Sequence, residues 1–259
     1  RLKPRTGFAR LIRRPEFASL LGFVAIFIFF LAVAPAFRSF EAMATTLYAS
    51  STLGIVALAV GMLMIGGEFD LSSGVAVTTA ALAATMLNYN LHLNSWVGAL
   101  LALGISLAIG ALNGFLVTRT GIDSFLITLA AFLMLQGLNL AITKLVTGQV
   151  ATPTIADMEG FPSAHTVFAG SFHIGDVRIS VTVLWWILFV AVASFVLFRT
   201  KFGGWITAVG GNQDAARAVG VPVRRVKILL FMGVGFAAWF VGMHTLFAFD
   251  SIQAGQGVG

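Results

Sequence analysis

Two short segments hold most of the residues that could take part in chemistry. Residues 64–74 are MIGGEFDLSSG, and residues 199–227 are RTKFGGWITAVGGNQDAARAVGVPVRRVK. Neither contains the G-x-x-x-x-G-K-[ST] spacing of a phosphate-binding loop, which occurs nowhere in the chain. Cysteine is absent, and the four histidines lack the spacing of a zinc site: His92, His165, His173 and His244. We therefore expect no catalytic residue, no metal site and no cofactor in this chain.

The composition indicates a membrane protein. Of the 259 residues, 58% are hydrophobic and 10% are charged, whereas soluble domains carry roughly 25% charged residues. The mean hydropathy is +0.96. The net charge of +6 would suit a nucleic acid only if the cations shared one soluble face. They lie instead between long apolar runs, so we expect membrane lipid and no nucleic acid around this chain.

Runs without charged residues predict the membrane crossings, because an ionised side chain in the bilayer centre costs roughly 2.5 to 3.5 kcal/mol or more. A crossing helix needs about 20 residues. The charge-free runs cover residues 17–37, 42–67, 71–118, 124–143, 179–198 and 228–249. The third run is long enough for two crossings, with the polar stretch 88–94 as the turn. We predict an all-α polytopic helix bundle, a single domain over 1–259, with at least seven spans.

The distribution of cations predicts the orientation. Segments 1–16 and 199–227, together with Arg119, carry thirteen of the sixteen Lys and Arg residues. The remaining three are Arg38, Lys144 and Arg178. Because cytoplasmic loops are enriched in Lys and Arg, we expect the N-terminus and residues 199–227 to be cytoplasmic. The polar stretch 145–178 then becomes an outer loop, either a cover or docking surface or a disordered hairpin.

Residues 212–222 have the start and stop signals of a short helix. Asn212 is a good N-cap, Asp214 lies in the first turn, and Gly220 and Pro222 end the helix. We predict a two-turn helix over 213–219. Its small apolar residues are flanked by cations and suit insertion into a groove of a cytosolic partner, and the alternative is a helix lying on anionic lipid. The small residues are Ala215, Ala216, Ala218 and Val219.

Polar residues within or beside the apolar runs are candidates for a solute path. Two glycines, two acids and two serines interrupt the helical pattern at 64–74, and Asp70 or Ser72 can cap the helix that begins near Ser73. This interruption either lines a path or is a plain cytoplasmic turn. Polar side chains inside the spans can bond a hydroxylated solute or a neighbouring helix. The candidate path residues are Asp70, Ser72, Asn113, Gln136 and Asn139.

The sequence resembles the permease subunits of bacterial monosaccharide ABC importers, the ribose, xylose, arabinose and galactose group. GGEFDLSSG at 66–74, NGFLVTRTGIDSFLITLA at 113–130 and RTKFGGWITAVGGNQDAARAVGVPVRRVKI at 199–228 carry the resemblance. The chain departs from the family pattern at Glu68-Phe69 and at Ser73. Family chains also continue beyond residue 259, so we expect seven spans to be a lower limit.

The resemblance implies a multi-pass subunit of the bacterial cytoplasmic (inner) membrane that works with partners. These are a second permease copy, identical or paralogous, a cytosolic ABC ATPase that holds ATP and Mg²⁺, and an extracytoplasmic sugar-binding protein. It also implies that the segment around 210–220 is the coupling helix that fits a cleft of the ATPase. The implied coupling residues are Gly210, Gly211, Asn212, Asp214, Arg217 and Gly220.

Other transport functions remain open at this point. A related permease could carry a sugar alcohol, a branched-chain amino acid or a signalling furanone. An ion-coupled carrier acting alone would need buried ionisable groups, for which Glu68 and Asp70 are the candidates.

Overall fold

Long apolar helices make up most of the protein. A computed structural model describes residues 15–175 and 177–255. Its helices are α1 (Pro15–Val33), α2 (Phe40–Ile65), α3 (Ser73–Leu91), α4 (Ser95–Thr120), α5 (Ser124–Thr147), α6 (Phe161–Phe168), α7 (Val181–Arg199), α8 (Lys201–Gly211), α9 (Gln213–Ala218) and α10 (Val223–Phe249). A 3₁₀ turn covers Pro35–Arg38, and strands β1 (Ser171–Ile174) and β2 (Val177–Ser180) form an antiparallel hairpin. The predicted helix bundle is therefore present, but the all-α prediction missed this hairpin.

Short polar residues determine where many of the helices begin. At six helix starts a Ser, Thr, Asn or Asp side chain accepts a hydrogen bond from a backbone N–H of the first turn. These residues are Ser39, Asn94, Asp123, Ser180, Thr200 and Asn212. Helices α4 and α5 end at Gly121 and Gly148, each with φ of +71°, a conformation in which a Cβ atom would be strained.

Five of the described helices are long and apolar enough to cross a membrane: α2, α4, α5, α7 and α10. Helix α3 has the length, but its serine, its three threonines and its two asparagines lower its hydropathy. In α1 the apolar stretch Leu20–Val33 is shorter than the five crossing helices. The prediction of at least seven spans is thus not confirmed. The basic segment 1–16, predicted to be cytoplasmic, lies outside the described residues except for Pro15 and Glu16.

Helix α10 is the centre of the bundle. It packs against α4, α3 and α2, and 67% of its most apolar stretch is buried, compared with 11% for α7. Small residues allow this packing: a Cβ atom on Gly110 would lie 2.4 Å from the carbonyl oxygen of Phe231, and one on Gly114 would lie 2.8 Å from Cα of Ile228. The backbones of α4 and α10 therefore touch directly.

The predicted outer loop is folded onto one end of the bundle. Phe168, the last residue of α6, packs among the rings of Trp239, Phe240 and Phe247 at centroid distances of 5.5 to 5.7 Å. Ile155 is fully buried, and its backbone N–H donates to the carbonyl of Asp250. The described part of 145–178 is thus a helix and a β-hairpin held by the core, and the alternative of a disordered hairpin is wrong there.

The contact between α4 and α10 can be tested with two glycines of the same helix. We expect Gly110→Ala to lower the free energy of unfolding by about 1 to 3 kcal/mol, because the methyl group would overlap the α10 backbone. A Cβ atom on Gly104 would meet no neighbouring helix within 4 Å, so Gly104→Ala is expected to be neutral or to stabilise by up to about 1 kcal/mol. Thermal unfolding of the purified protein in detergent compares them, and equal midpoints would contradict the packing.

Candidate coupling site

The short helix predicted over 213–219 is present as α9, Gln213–Ala218. The side-chain oxygen of Asn212 accepts hydrogen bonds from the N–H groups of Asp214 at 3.0 Å and Ala215 at 2.9 Å. Asp214 in turn pairs with Arg217 at 2.9 Å. Val219 follows the helix and Gly220 has φ of +86°, which ends it. Both predicted caps are therefore confirmed.

A second helix, α8, precedes α9 and was not predicted. Its four glycines disfavour a helix by propensity, but Ile206 and Val209 are buried against the bundle and stabilise it. Gly210 approaches the end of α2 so closely that a Cβ atom would lie 1.8 Å from the carbonyl oxygen of Ile65. Gly211 meets nothing within 4 Å. Of the two adjacent candidate residues, Gly210 is thus a packing contact and Gly211 faces outward.

The exposed surface of α9 differs from the predicted one at a single residue. Ala216 is 3% exposed and packs against the bundle, so it does not belong to the apolar face expected to enter a partner. Ala215, Ala218 and Val219 are exposed as predicted, and Asp214 and Arg217, whose side chains are 83% and 64% exposed, share this outward surface. The sequence pattern could not separate Ala216 from its neighbours because all of them are small.

A buried ion pair connects α9 to the segment between α2 and α3. Lys227, in the first turns of α10, donates to the carboxylate of Glu68 and, at 2.8 Å, to Oε1 of Gln213. The side chains of Lys227 and Glu68 are 12% and 9% exposed. Glu68, an ionisable candidate of the ion-coupled carrier, is therefore engaged by Lys227. Sequence reasoning missed this pairing because 159 positions separate the two residues.

The ion pair lines a polar cavity of about 500 Å³ at this end of the bundle. Its walls include Gly67 and Glu68 after α2, Asp123 and Ser124 at the start of α5, and residues 209–213, which span the end of α8 and the start of α9. The basic side chains of Arg217, Arg224 and Lys227 also line it. The cavity therefore brings the 66–74, 113–130 and 199–228 motifs together in space.

Three of the five candidate path residues form one buried cluster beneath this cavity. Ser72 donates from its N–H and its hydroxyl to Oδ1 of Asp70 at 2.8 and 2.6 Å, and Asn113 Nδ2 donates to Ser72 Oγ at 3.1 Å. All three are at most 4% exposed. Burial raises the pKa of the Asp70 carboxyl above its ordinary value, and the two bonds from Ser72 oppose this shift.

Helix α5 fixes the interruption between α2 and α3. The backbone N–H of Phe69 donates to Ser124 Oγ, and that of Leu71 donates to Thr128 Oγ1, each at 3.1 Å. Helix α3 begins at Ser73, as predicted, with Ser72 as the N-cap residue, although the capping acceptor for the Ser72 N–H is Asp70. The first turns of α5 thus hold residues 69–72 in place.

The other two candidate path residues lie on α5 away from this cluster. Asn139 is 5% exposed, and its Nδ2 has no hydrogen-bond partner among the described residues. Gln136 is half-buried. Within residues 15–175 and 177–255, no hydrogen bond connects either side chain to Asp70, Ser72 or Asn113. Their place on a solute path stays a prediction.

The Glu68–Lys227 pair is open to a charge-exchange test. We expect Glu68→Gln and Lys227→Met each to lower the free energy of unfolding by about 2 kcal/mol, because each leaves a largely buried partner without its counter-charge. Exchange of the charges, Glu68→Lys with Lys227→Glu, is expected to restore part of the loss. The exposed Asp214–Arg217 pair serves as the control, since breaking it costs roughly 0 to 0.5 kcal/mol.

Thermal or denaturant unfolding in detergent measures all of these variants. Single and exchanged variants that unfold alike would argue against a stabilising contact between Glu68 and Lys227.

Comparison with known proteins places the chain in a family. The family model described as "branched-chain amino acid transport system / permease component" matches residues 42–259. Ribose import permease protein RbsC of Escherichia coli strain K12 is 27% identical over 94% of this chain and 73% of its own length. No solved structure matches.

Two further relatives have 30% identity. The xylose/arabinose import permease protein XylH of Sulfolobus acidocaldarius matches over 90% of this chain and 62% of its own length. The autoinducer 2 import system permease protein LsrC of Enterobacter sp. strain 638 matches over 96% of this chain and 69% of its own length. A match over residues 42–259 covers most of the chain. The protein therefore belongs to the family of branched-chain amino acid transport system permease components, whose members are transport subunits of membranes.

Proposed function

We propose that this chain is the membrane-spanning permease subunit of an ATP-driven importer that moves a monosaccharide across the cytoplasmic membrane. The observation that carries the proposal is α9, a short helix capped at both ends, with Asp214, Arg217 and Val219 exposed at the basic end of the bundle. A separate cytosolic ATPase holds ATP and Mg²⁺ and docks against this helix.

The ion pair of Glu68 with Lys227 supports such coupling. Lys227 contacts Glu68 before α3 and Gln213 in α9 at the same time. A displacement of α9 by the ATPase is thereby passed to residues 66–72 and to the first turn of α10. This is a local electrostatic contact that can bias a two-state rearrangement of the bundle.

The choice of solute rests on the relatives. Proteins named for the import of ribose, of xylose and arabinose, and of fructose are similar to this chain over most of its length. Two alternative solutes remain. The family description supports a branched-chain amino acid, and the autoinducer 2 relative supports a signalling furanone. A sugar alcohol is a further one.

The proposal includes a topology and an assembly. Helices α1 and α3 add two crossings to the five apolar helices, with the N-terminus in the cytoplasm and 145–178 outside. Seven described cations lie at the α9 end, namely Arg119, Arg199, Lys201, Arg217, Arg224, Arg225 and Lys227, and the three others flank the opposite ends of the spans. A second permease copy and an extracytoplasmic sugar-binding protein complete the importer.

An ion-coupled carrier acting alone is the second candidate. It would use Glu68 or Asp70, the ionisable groups nearest to the spans. Both are engaged: Glu68 with Lys227, and Asp70 with Ser72. This engagement favours the ATP-driven importer.

Copurification of the ATPase with variants of this chain tests the proposal. Two of the variants change outward-facing glycines of α8. We expect the ATPase encoded with this chain to copurify from detergent in a fixed ratio, and to be lost in Gly211→Trp and in Asp214→Lys, because both block the docking surface. Gly204→Trp is the matched control, since Gly204 and Gly211 both have free space around the Cβ position. An ATPase that is retained by all three variants, or sugar flux through the lone chain in liposomes without ATP, would refute the proposal.

A further inference from the structure

An apolar groove runs along the outside of the bundle between α7 and α10. It has a volume of about 420 Å³ and also touches α2 and the start of α8. Its floor is formed by the buried side chains of Ile55, Leu230 and Ala237. Its edges are 36 to 51% exposed and are formed by Leu188, Val192, Leu229 and Phe236. Because α7 and α10 are both long and apolar enough to cross a membrane, the groove lies at membrane depth.

A missing side chain helps to keep this groove open. Gly233 lies in its wall, and a Cβ atom there would meet no neighbouring residue within 4 Å. Two residues further along α10, by contrast, a Cβ atom on Gly235 would lie 2.5 Å from the carbonyl oxygen of Ser106. Glycine disfavours a helix, and close packing accounts for it at Gly235 but not at Gly233. At Gly233 the glycine instead leaves room for an occupant of the groove.

Two helices place a cation at the same end of the groove. On α7, Val196 lines the groove and Arg199 follows it by three residues. On α10, Leu229 lines the groove and Arg225 precedes it by four residues. Residues three or four apart share one face of a helix. Arg199 and Arg225 therefore continue the two walls of the groove by one turn toward the α9 end of the bundle.

A third cation joins them, and all three lack a counter-charge in this chain. Lys201 directly precedes Phe202, which lines the groove where α8 begins. The three cations are exposed, and neither ion pair within residues 15–175 and 177–255 involves them. The sequence from 177 to 249 contains a single acid, Asp214, and it pairs with Arg217. This end of the groove is therefore suited to an anion from outside the chain.

The walls of the groove select against a polar ligand, because every described residue that lines it is Gly, Ala, Val, Leu, Ile, Met or Phe. A sugar would find no side-chain hydrogen bond there, whereas a hydrocarbon chain would fit. Basic pockets between membrane helices bind the headgroups of anionic lipids. We propose that this groove holds an acyl chain of an anionic phospholipid whose phosphate lies against Arg199, Lys201 and Arg225. The site requires only a membrane-spanning chain, so it goes beyond the proposed function and does not depend on a docked ATPase.

A second copy of the chain is the other occupant that could cover an apolar face. Two copies in one membrane have the same orientation, so a copy seated in this groove would bring its own Arg199, Lys201 and Arg225 to the same side of the membrane. Like charges close together repel, whereas a phosphate supplies the missing counter-charge. The unpaired cations therefore favour the phospholipid.

Two glycines give a matched test of the acyl-chain site. A second groove, of about 410 Å³, lies on the other side of the contact between α2 and α7, and Gly61 lines it with nothing within 4 Å of its Cβ position. Native mass spectrometry of the purified protein in detergent measures bound phosphatidylglycerol. We expect Gly233→Leu to lower the affinity at least tenfold and Gly61→Leu less than twofold. Equal effects overturn the site, and so does a Gly233→Leu variant that separates a dimer but keeps the lipid.

Neutral substitutions test the headgroup contacts in the same measurement. Arg199→Gln, Lys201→Gln and Arg225→Gln are each expected to lower the affinity for phosphatidylglycerol about fivefold. Arg224→Gln is the matched control, because the Arg224 guanidinium lies 5.0 Å from the centre of the Phe115 ring on α4, and its effect is expected to be less than twofold. The unmodified protein is expected to bind phosphatidylcholine at least tenfold more weakly than phosphatidylglycerol. Equal affinities for the two lipids overturn the proposal, whether or not an ATPase copurifies.

Discussion

The rest of the structure depends on the pairing of Glu68 with Lys227. An ionised carboxylate beside a membrane span must reach water or a counter-charge, and here the counter-charge is supplied by the first turns of α10. This pairing ties Glu68 to α10, while the first turns of α5 hold Phe69 and Leu71. It also brings Lys227 within reach of Gln213 in α9. The two sequence segments with most of the polar chemistry are therefore one site in the folded protein.

Helix α10 links this site to the other end of the bundle. Lys227 lies near its start, its middle touches the backbone of α4 at Gly110, and His244 lies near its end, hydrogen bonded to Tyr48. Close packing in the middle leaves little room for the helix to bend independently of α4. In the proposed importer, a movement that begins at α9 therefore reaches the Tyr48–His244 hydrogen bond through one rigid element.

Local signals in the sequence were sufficient for some elements and not for others. The bounds of α9 follow from Asn212 and Gly220, because caps act on the residues beside them. The length of apolar runs likewise predicted the long helices. Helix α8 and the hairpin were missed, since α8 is stabilised by burial of Ile206 and Val209 against distant helices, and the hairpin is a short element within a polar loop.

The candidate site was likewise predicted only in part. Asp70, Ser72 and Asn113 were chosen because polar residues are rare in spans, and the structure does bring them together. Their mutual hydrogen bonds, however, depend on how α3 and α4 pack, which residue type does not reveal.

The side of the membrane on which α9 lies tests the account most directly. Ala218 in α9 and His173 in the hairpin are both exposed and lie at opposite ends of the bundle, and the chain has no cysteine of its own. A membrane-impermeant maleimide added to intact cells is predicted to label His173→Cys and to leave Ala218→Cys unlabelled until the cells are opened. Labelling of Ala218→Cys from outside would contradict a cytosolic α9 and with it the coupling to an ATPase.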